Sequence, residues 1–154
     1  MKKTFLIFAT FCTLVLSACS GSEPESPEQQ VRAVLAAIEE ASEQRSLSGM
    51  MQHISDDYID HRGNTNKDVK RLLQIHLLRN QNISVFTRIS SLEVNTDSQP
   101  QTASVELSAA MAARGVDLSL ETNRLKANTH RFSLALTLEG DAWRISSGSW
   151  QRGW

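Results

Sequence analysis

The sequence predicts an α+β domain in which three N-terminal helices pack on a curved, bulged antiparallel sheet of about four long strands, together forming a cone. Three observations predict it. Apolar residues recur at helical spacing up to about residue 80 and then at every second position towards the C-terminus. The alternating runs change parity at two places, which is how a bulge bends a sheet around what lies beneath it. The strands also follow one another through tight turns such as Glu139-Gly140-Asp141, the mark of a hairpin meander.

The helices come first. Ser26, Pro27 and Gln29 supply an N-cap, a proline at the first helical position and a capping-box partner. Val31, Val34, Leu35, Ile38 and Ala41 then form one stripe, with Glu39, Glu40 and Glu43 on the other side. Leu47, Met50, Met51 and Ile54 predict a short second helix, and Tyr58 to Arg62 a short strand. Gly63-Asn64-Thr65-Asn66 is a loop that caps a third helix carrying Val69, Leu72, Leu73, His76 and Leu77 on its core face and ending near Asn80 or Asn82.

Strands follow. Ile83, Val85, Thr87 and Ile89 share a face, and Leu92 and Val94 take the opposite parity, so a bulge is expected near Ser90-Ser91. After a turn at Asp97-Ser98-Gln99-Pro100, Ala103, Val105, Leu107, Ala109 and Met111 alternate in a second strand. Phe132, Leu134, Leu136 and Leu138 alternate in a third, and Trp143 and Ile145 in a fourth. Trp150 has changed parity, which places a second bulge at Gly148. The opposite sheet face, with Ser104, Glu106, Ser108, Arg131, Ser133, Ala135 and Thr137, is small or polar. Desolvating Glu106 and Arg131 there is costly, so a monomer or at most a weak homodimer is expected.

Composition bounds the function. The 154 residues suffice for one core, and 40% hydrophobic with 21% charged residues is an ordinary globular balance. Sixteen basic residues against 17 acidic ones leave no basic excess for a nucleic-acid partner. His53, His61, His76 and His130 show no metal-ligand spacing, and no phosphate-binding glycine loop or Gly-x-Ser-x-Gly elbow is present, so no metal or cofactor is expected.

The N-terminus reads as an address. Lys2 and Lys3 precede an apolar run from Phe5 to Leu16, too short for a membrane span. The run ends in Leu16-Ser17-Ala18-Cys19, which resembles the lipobox of bacterial lipoprotein precursors. The resemblance implies that residues 1–18 are a signal peptide, cleaved before a Cys19 that carries a diacylglyceryl thioether and an N-acyl group, and that the protein is held to a lipid bilayer in the cell envelope. Ser20 after the cysteine, by the same resemblance, implies the periplasmic face of the outer membrane. Cys12 leaves with the signal, so the mature chain has no thiol left for a disulfide. Lys2 and Lys3 leave too, so 14 basic residues remain against 17 acidic ones. Residues 19–27 are the lipidated cysteine and a tether, of which the eight residues Ser20 to Pro27 are small, acidic and proline-punctuated and able to reach about 25 Å at about 3.1 Å per residue. Residues 28–154 hold the domain.

From the long first helix through Ser46-Leu47-Ser48-Gly49, the segment Ser55 to Gly63 and the terminal Trp143 to Trp150, the chain is similar to the nuclear transport factor 2-like superfamily. That resemblance implies the cone fold of ketosteroid isomerases, scytalone dehydratases and many non-enzymatic modules, and fold does not carry function among them. It places Asp60 where the isomerases keep their general-base aspartate, although the tyrosine they use in the first helix is missing here. The chain's single tyrosine is Tyr58, two residues before Asp60. Asp60 is either such a base or a residue that caps its turn or pairs with Arg62. His76 is either the third member of an acid–base cluster with Asp60 and Tyr58 or a packed, hydrogen-bonded histidine. Residues 115–128 form a long connection bearing Leu118, Leu120 and Leu125, either a lid or partner contact or an extended hairpin. Two functions follow as expectations: a module binding a small apolar ligand or an envelope protein, or a small isomerase, dehydratase or cyclase using Asp60 and His76.

Overall fold

In the computed structural model, which describes residues 25–115 and 126–152, helix α1 (Pro27–Glu43) starts at the expected cap. Ser26 Oγ accepts from the Gln29 amide at 3.3 Å while Gln29 Oε1 accepts from the Ser26 amide at 2.8 Å. Val31, Leu35 and Ala41 of its stripe are buried. Helix α2 (Leu47–Met51) is capped by Ser46 Oγ, and α3 (Asn66–Arg79) begins where the Asp68 carboxylate accepts from the Thr65 amide and hydroxyl at 3.0 and 2.8 Å. Arg45, in the left-handed region at φ 58°, turns the chain out of α1 and donates to the carbonyls of Leu77 and Asn80, two acceptors that the end of α3 leaves open.

Strands β1 (Asn80–Asn95), β2 (Thr102–Gly115), β3 (Lys126–Glu139) and β4 (Ala142–Arg152) form one antiparallel sheet in the order β1-β2-β3-β4. The register of β1 on β2 shifts between Ile89 and Ser91, at the expected bulge. The second shift departs from expectation. It lies opposite Ala135 and Leu136, which pair with Ser147 and Ile145, so Ser146 rather than Gly148 is the extra residue. Gly148 has another use, as a Cβ there would lie 3.2 Å from Leu134 Cδ2 and 3.3 Å from the Tyr58 hydroxyl.

Two further expectations are corrected. Tyr58 to Arg62 is not a strand: a single bridge, Ile59 to Thr65, forms there, because the chain folds back on itself at 60–64, where the Asp60 side chain takes the Arg62 and Asn64 amides and the Asp60 amide goes to Asn64 O. Leu72 is not in the core but 50% exposed, since α3 leans on the sheet through Val69, Leu73 and Leu77, spaced four apart, which leaves Leu72 on the flank. The outer sheet face is polar as expected, with Glu106 held by the Ser133 hydroxyl at 2.9 Å, except that Phe86 stands on it 67% exposed.

The core fills the space between α1 and the concave face of the sheet, with Val31, Val105 and Leu136 completely enclosed and Trp143 beneath α1, its Nε1 donating to Gln30 Oε1 at 3.1 Å. Among the described residues no helix is long and apolar enough to cross a membrane. Truncating the fully buried Leu136→Ala should cost about 3 kcal/mol, whereas Leu72→Ala should change stability by less than about 0.5 kcal/mol. Denaturant unfolding of the two variants checks both.

Candidate functional site

The segment between α2 and α3 runs beside the edge strand β4 and is sewn to it. Ser55 N donates to Ile145 O, Ile59 N to Ser146 O, and Asn66 Nδ2 back to Ser55 O. Its turn is organised by Asp60. Oδ1 accepts from the amides of Arg62 and Asn64, both at 2.8 Å, and Oδ2 from Asn64 Nδ2 at 2.7 Å. The Asp60 backbone closes the same ring by donating to Asn64 O and accepting from Gly63 N, with Gly63 at φ +81°. Burial works to raise the Asp60 pKa, but the Asn64 side chain, the Asn64 and Arg62 amides and the neighbouring His61 outweigh it, so the carboxyl lies below the ordinary carboxylate range. A general base needs a lone pair free for the substrate's proton and a pKa raised towards the working pH. Asp60 has three donors on its two oxygens and a pKa displaced the other way.

Tyr58 and Asp60 are both buried with Ile59 exposed between them, so the alternation places the two on one side of the segment. The Tyr58 ring joins the main core cluster and its hydroxyl reaches Gly148. Burial, and then the nearby Asp60 charge, push its pKa up to about 12, which keeps the phenol protonated at any physiological pH. His76 is elsewhere. Its Nδ1 meets Asn80 Nδ2 at 3.3 Å, and Asn80 also donates to the His76 carbonyl at 2.8 Å. At 1.5 Å per residue it lies about 15 Å down the helix axis from Asn66, where α3 leaves the Asp60 turn. Burial lowers its pKa, so the ring is neutral at pH 7. The structure therefore brings Tyr58 and Asp60 together and leaves His76 apart from them. Leu118, Leu120, Leu125 and Cys19 lie outside the described residues.

A different group converges on the same stretch of β4. His61 Nδ1 faces the Gly148 carbonyl at 3.4 Å, and its ring meets Trp150 edge-on at 6.2 Å between centroids. The Arg62 guanidinium lies 5.2 Å from the Trp150 ring centre. Trp150 pairs with Phe132 across the sheet, and Gly148 with Leu134. On this concave face Val105 and Leu136 are closed off and Leu107 and Ala109 are buried, while Leu134, Phe132, His130 and Trp150 are only half-buried. His130, whose ring lies 6.2 Å from that of Phe132, has an Nδ1 with no hydrogen-bond partner among the described residues. Among the described residues the cone is packed at the end occupied by Trp143 and less fully covered at the end occupied by Trp150. An apolar floor with His61, Tyr58 and Arg62 along one side can hold a flat apolar ligand and orient it by one or two polar contacts.

Sequence reasoning found only that His61 and His130 lack metal-ligand spacing and missed their common neighbourhood. The alternation of β3 does place His130 on the face of Phe132 and Leu134, but only the β3–β4 register brings Trp150 and the 58–62 segment to it. A second concavity, a wide-mouthed groove of about 500 Å³, lies at the packed end between α1 and the β3–β4 hairpin, lined by Gln30, Val34, His53, Trp143 and Arg144. Burial and then Arg144 hold the His53 pKa below its usual value. Among the described residues no three His, Cys, Asp or Glu side chains gather to hold a metal ion.

No protein-family profile and no curated protein matches the chain in sequence. Solved structures match its shape. A protein from Novosphingobium aromaticivorans assigned as a scytalone dehydratase superposes with a TM-score of 0.67 at 9% identity, over 81% of this chain and 83% of its own. A member of the NTF2-like family from Streptomyces avermitilis superposes at 0.63 and 15% identity, over 82% and 96%. The fold is the NTF2-like cone. A ketosteroid isomerase-like protein from Erwinia carotovora atroseptica agrees, with a TM-score of 0.61 and 10% identity over 84% of this chain and 98% of its own. At such identities the NTF2-like likeness establishes architecture alone, and the chemistry has to be argued from these side chains.

The Asp60 hydrogen bonds make a pH prediction whose sign separates the two roles of the residue. A carboxyl with a folded pKa below its unfolded value, about 3.9, adds stability that is complete above that pH and is lost as pH falls through the folded pKa. Stability should therefore drop below about pH 4, and Asp60→Asn should flatten that drop. A base with a raised pKa would instead make the wild type gain stability between neutral pH and pH 4. Unfolding curves of both proteins across this range measure the difference.

Proposed function

We propose that this protein is a lipid-anchored module of the bacterial envelope that binds a small, flat apolar ligand on the open end of its concave sheet and performs no acid–base chemistry with Asp60. The observation that carries this reading is the Asp60 carboxylate, whose two oxygens are occupied by the Arg62 and Asn64 donors of its own turn. What remains at the open end is a surface made to hold rather than to react: half-buried Phe132, Leu134 and Trp150, with the Tyr58 phenol and the His61 ring beside them. Aromatic rings supply contact area at little entropic cost, and a few polar groups set orientation. The anchor is Cys19, at the end of a lipobox-like Leu16-Ser17-Ala18-Cys19, and three acyl chains hold far more firmly than one.

The resemblance in fold to dehydratases and isomerases favours a second reading, a small enzyme in which the protonated Tyr58 hydroxyl donates to a developing oxyanion. The two readings part on their variants. If the protein is a binding module, a hydrophobic fluorescent probe should lose about tenfold or more in affinity with Trp150→Ala, the behaviour of an aromatic anchor, while Asp60→Asn leaves its affinity unchanged. Turnover of any small carbonyl or hydroxy compound by the wild type, abolished by Tyr58→Phe in a folded protein, would establish the enzyme. Independently, Cys19→Ser should abolish labelling of the protein by radioactive palmitate in cells, and normal labelling of that variant would remove the anchor from the account.

A further inference from the structure

Helix α3 has two apolar sides, and only one is used by the fold. Val69, Leu73 and Leu77 face the core, yet Leu72, Ile75 and Leu78 are 50%, 39% and 74% exposed, three of the five large hydrophobic residues that the described structure leaves in solvent. With 100° between successive residues, Ile75 and Leu78 lie opposite the core stripe and Leu72 at its flank. Arg71, Lys67 and Arg79 are interleaved with them and Lys70 stands on the other flank, all exposed. Four of the five formally charged side chains of α3 are basic, Asp68 being the exception, in a chain whose net charge is −1. Charge is segregated between helices, because α1 carries Glu28, Glu39, Glu40 and Glu43 against Arg32 alone.

We infer that the outward face of α3 docks on an anionic phospholipid surface, lying in the headgroup plane with Leu72, Ile75 and Leu78 inserted and the basic side chains at the phosphates. A run of leucine-sized side chains broken by long cations suits a bilayer interface, where lysine and arginine stems lie along the apolar layer and their charged ends reach the headgroups. It suits a protein partner less, because a stable interface buries about 800 Å² on each side around a centre depleted of charge, and here lysines and arginines are interleaved with the apolar residues. At 14 residues, α3 is about 21 Å long, so it lies on a membrane rather than across one. The inference rests on the preceding reading only in that the Cys19 anchor delivers the helix to the bilayer. The six residues between Cys19 and the Ser26 cap, about 19 Å when extended at about 3.1 Å each, keep the domain within reach of the surface to which the anchor holds it. With α3 down, the acidic surface of α1 need not face the phosphates.

The test uses the mature lipidated protein on vesicles of phosphatidylcholine, alone or mixed with phosphatidylglycerol. Cys19 is blocked by its thioether, so single cysteines introduced as Leu78→Cys on α3 and Ser104→Cys on the outer sheet face can each carry a bimane fluorophore. Brominated lipid chains should quench the label at position 78 on the anionic vesicles, much less on phosphatidylcholine or in high salt, and should leave the label at position 104 unquenched. In a second measurement, the mature chain carrying Cys19→Ser is sedimented with the anionic vesicles. The double variant Lys67→Gln and Arg71→Gln, with its melting curve unchanged, should lower the partition about thirtyfold, the worth of two basic side chains beside an anionic surface. An unquenched label at position 78 on a vesicle that holds the protein overturns the inference, as does a partition indifferent to the double variant. If lipidation itself fails, the sedimentation arm still decides, so loss of the anchor and loss of the helix face give different results.

Discussion

The carboxylate of Asp60 is the interaction on which the rest of the site depends. Two amides and one side-chain amide converge on it, and charge-assisted hydrogen bonds of this kind are roughly twice as strong as neutral ones. By bending residues 60–64 into a closed turn, it directs everything around it. Tyr58 is set into the core under Gly148, His61 and Arg62 are presented to Trp150, and the chain is delivered at Thr65 to the start of α3. Asn66 then ties the first turn of α3 back to Ser55, so the 55–66 segment behaves as a single clasp between the helical layer and β4. The same bonds set a chemical limit. Three of its roughly four acceptor positions are taken by its own turn, and those donors stabilise the ionised form that a proton shuttle must be able to leave.

Much of the fold was legible in the sequence, for physical reasons that are local. The α1 cap, the helical stripe, the Gly140 turn and the parity switch at Ser90 each depend on neighbours within a few residues, and each stands where periodicity places it. The errors fall where a distant partner decides. Tyr58 to Arg62 alternates like a strand, but the chain folds back on itself at 60–64, where Asp60 takes the Arg62 and Asn64 amides. Gly148 invites a bulge, yet the extra residue is Ser146, and the missing side chain at Gly148 makes room for Tyr58 and Leu134, contacts no spacing rule reveals. The candidate site was harder still. Asp60 and Tyr58 are adjacent as their spacing suggests, but the aromatic neighbourhood of Trp150, Phe132, His61 and His130 comes from three separate parts of the chain and exists only through strand register.

The NTF2-like cone gives these side chains a simple division of labour. Trp143, Leu136 and Val31 close one end, and the burial they provide supports an open end where aromatic and polar groups remain half in solvent. The helices divide labour too: α1 is spent on the sheet, with Glu39 and Glu43 bonded to Thr87 and Val85, whereas α3 keeps a basic, leucine-studded face turned outward.

The role of Asp60 is therefore the point at which the account is most exposed, and one measurement addresses it directly: the carbon-13 chemical shift of the Asp60 carboxyl followed against pH in the folded protein. The account predicts a midpoint below the ordinary aspartate value of about 3.9, shifted upward when Asn64→Ala removes the donor to Oδ2. A midpoint raised to near neutrality, indifferent to Asn64, would mean that the carboxylate is poised for proton transfer, and the binding-module reading would fall.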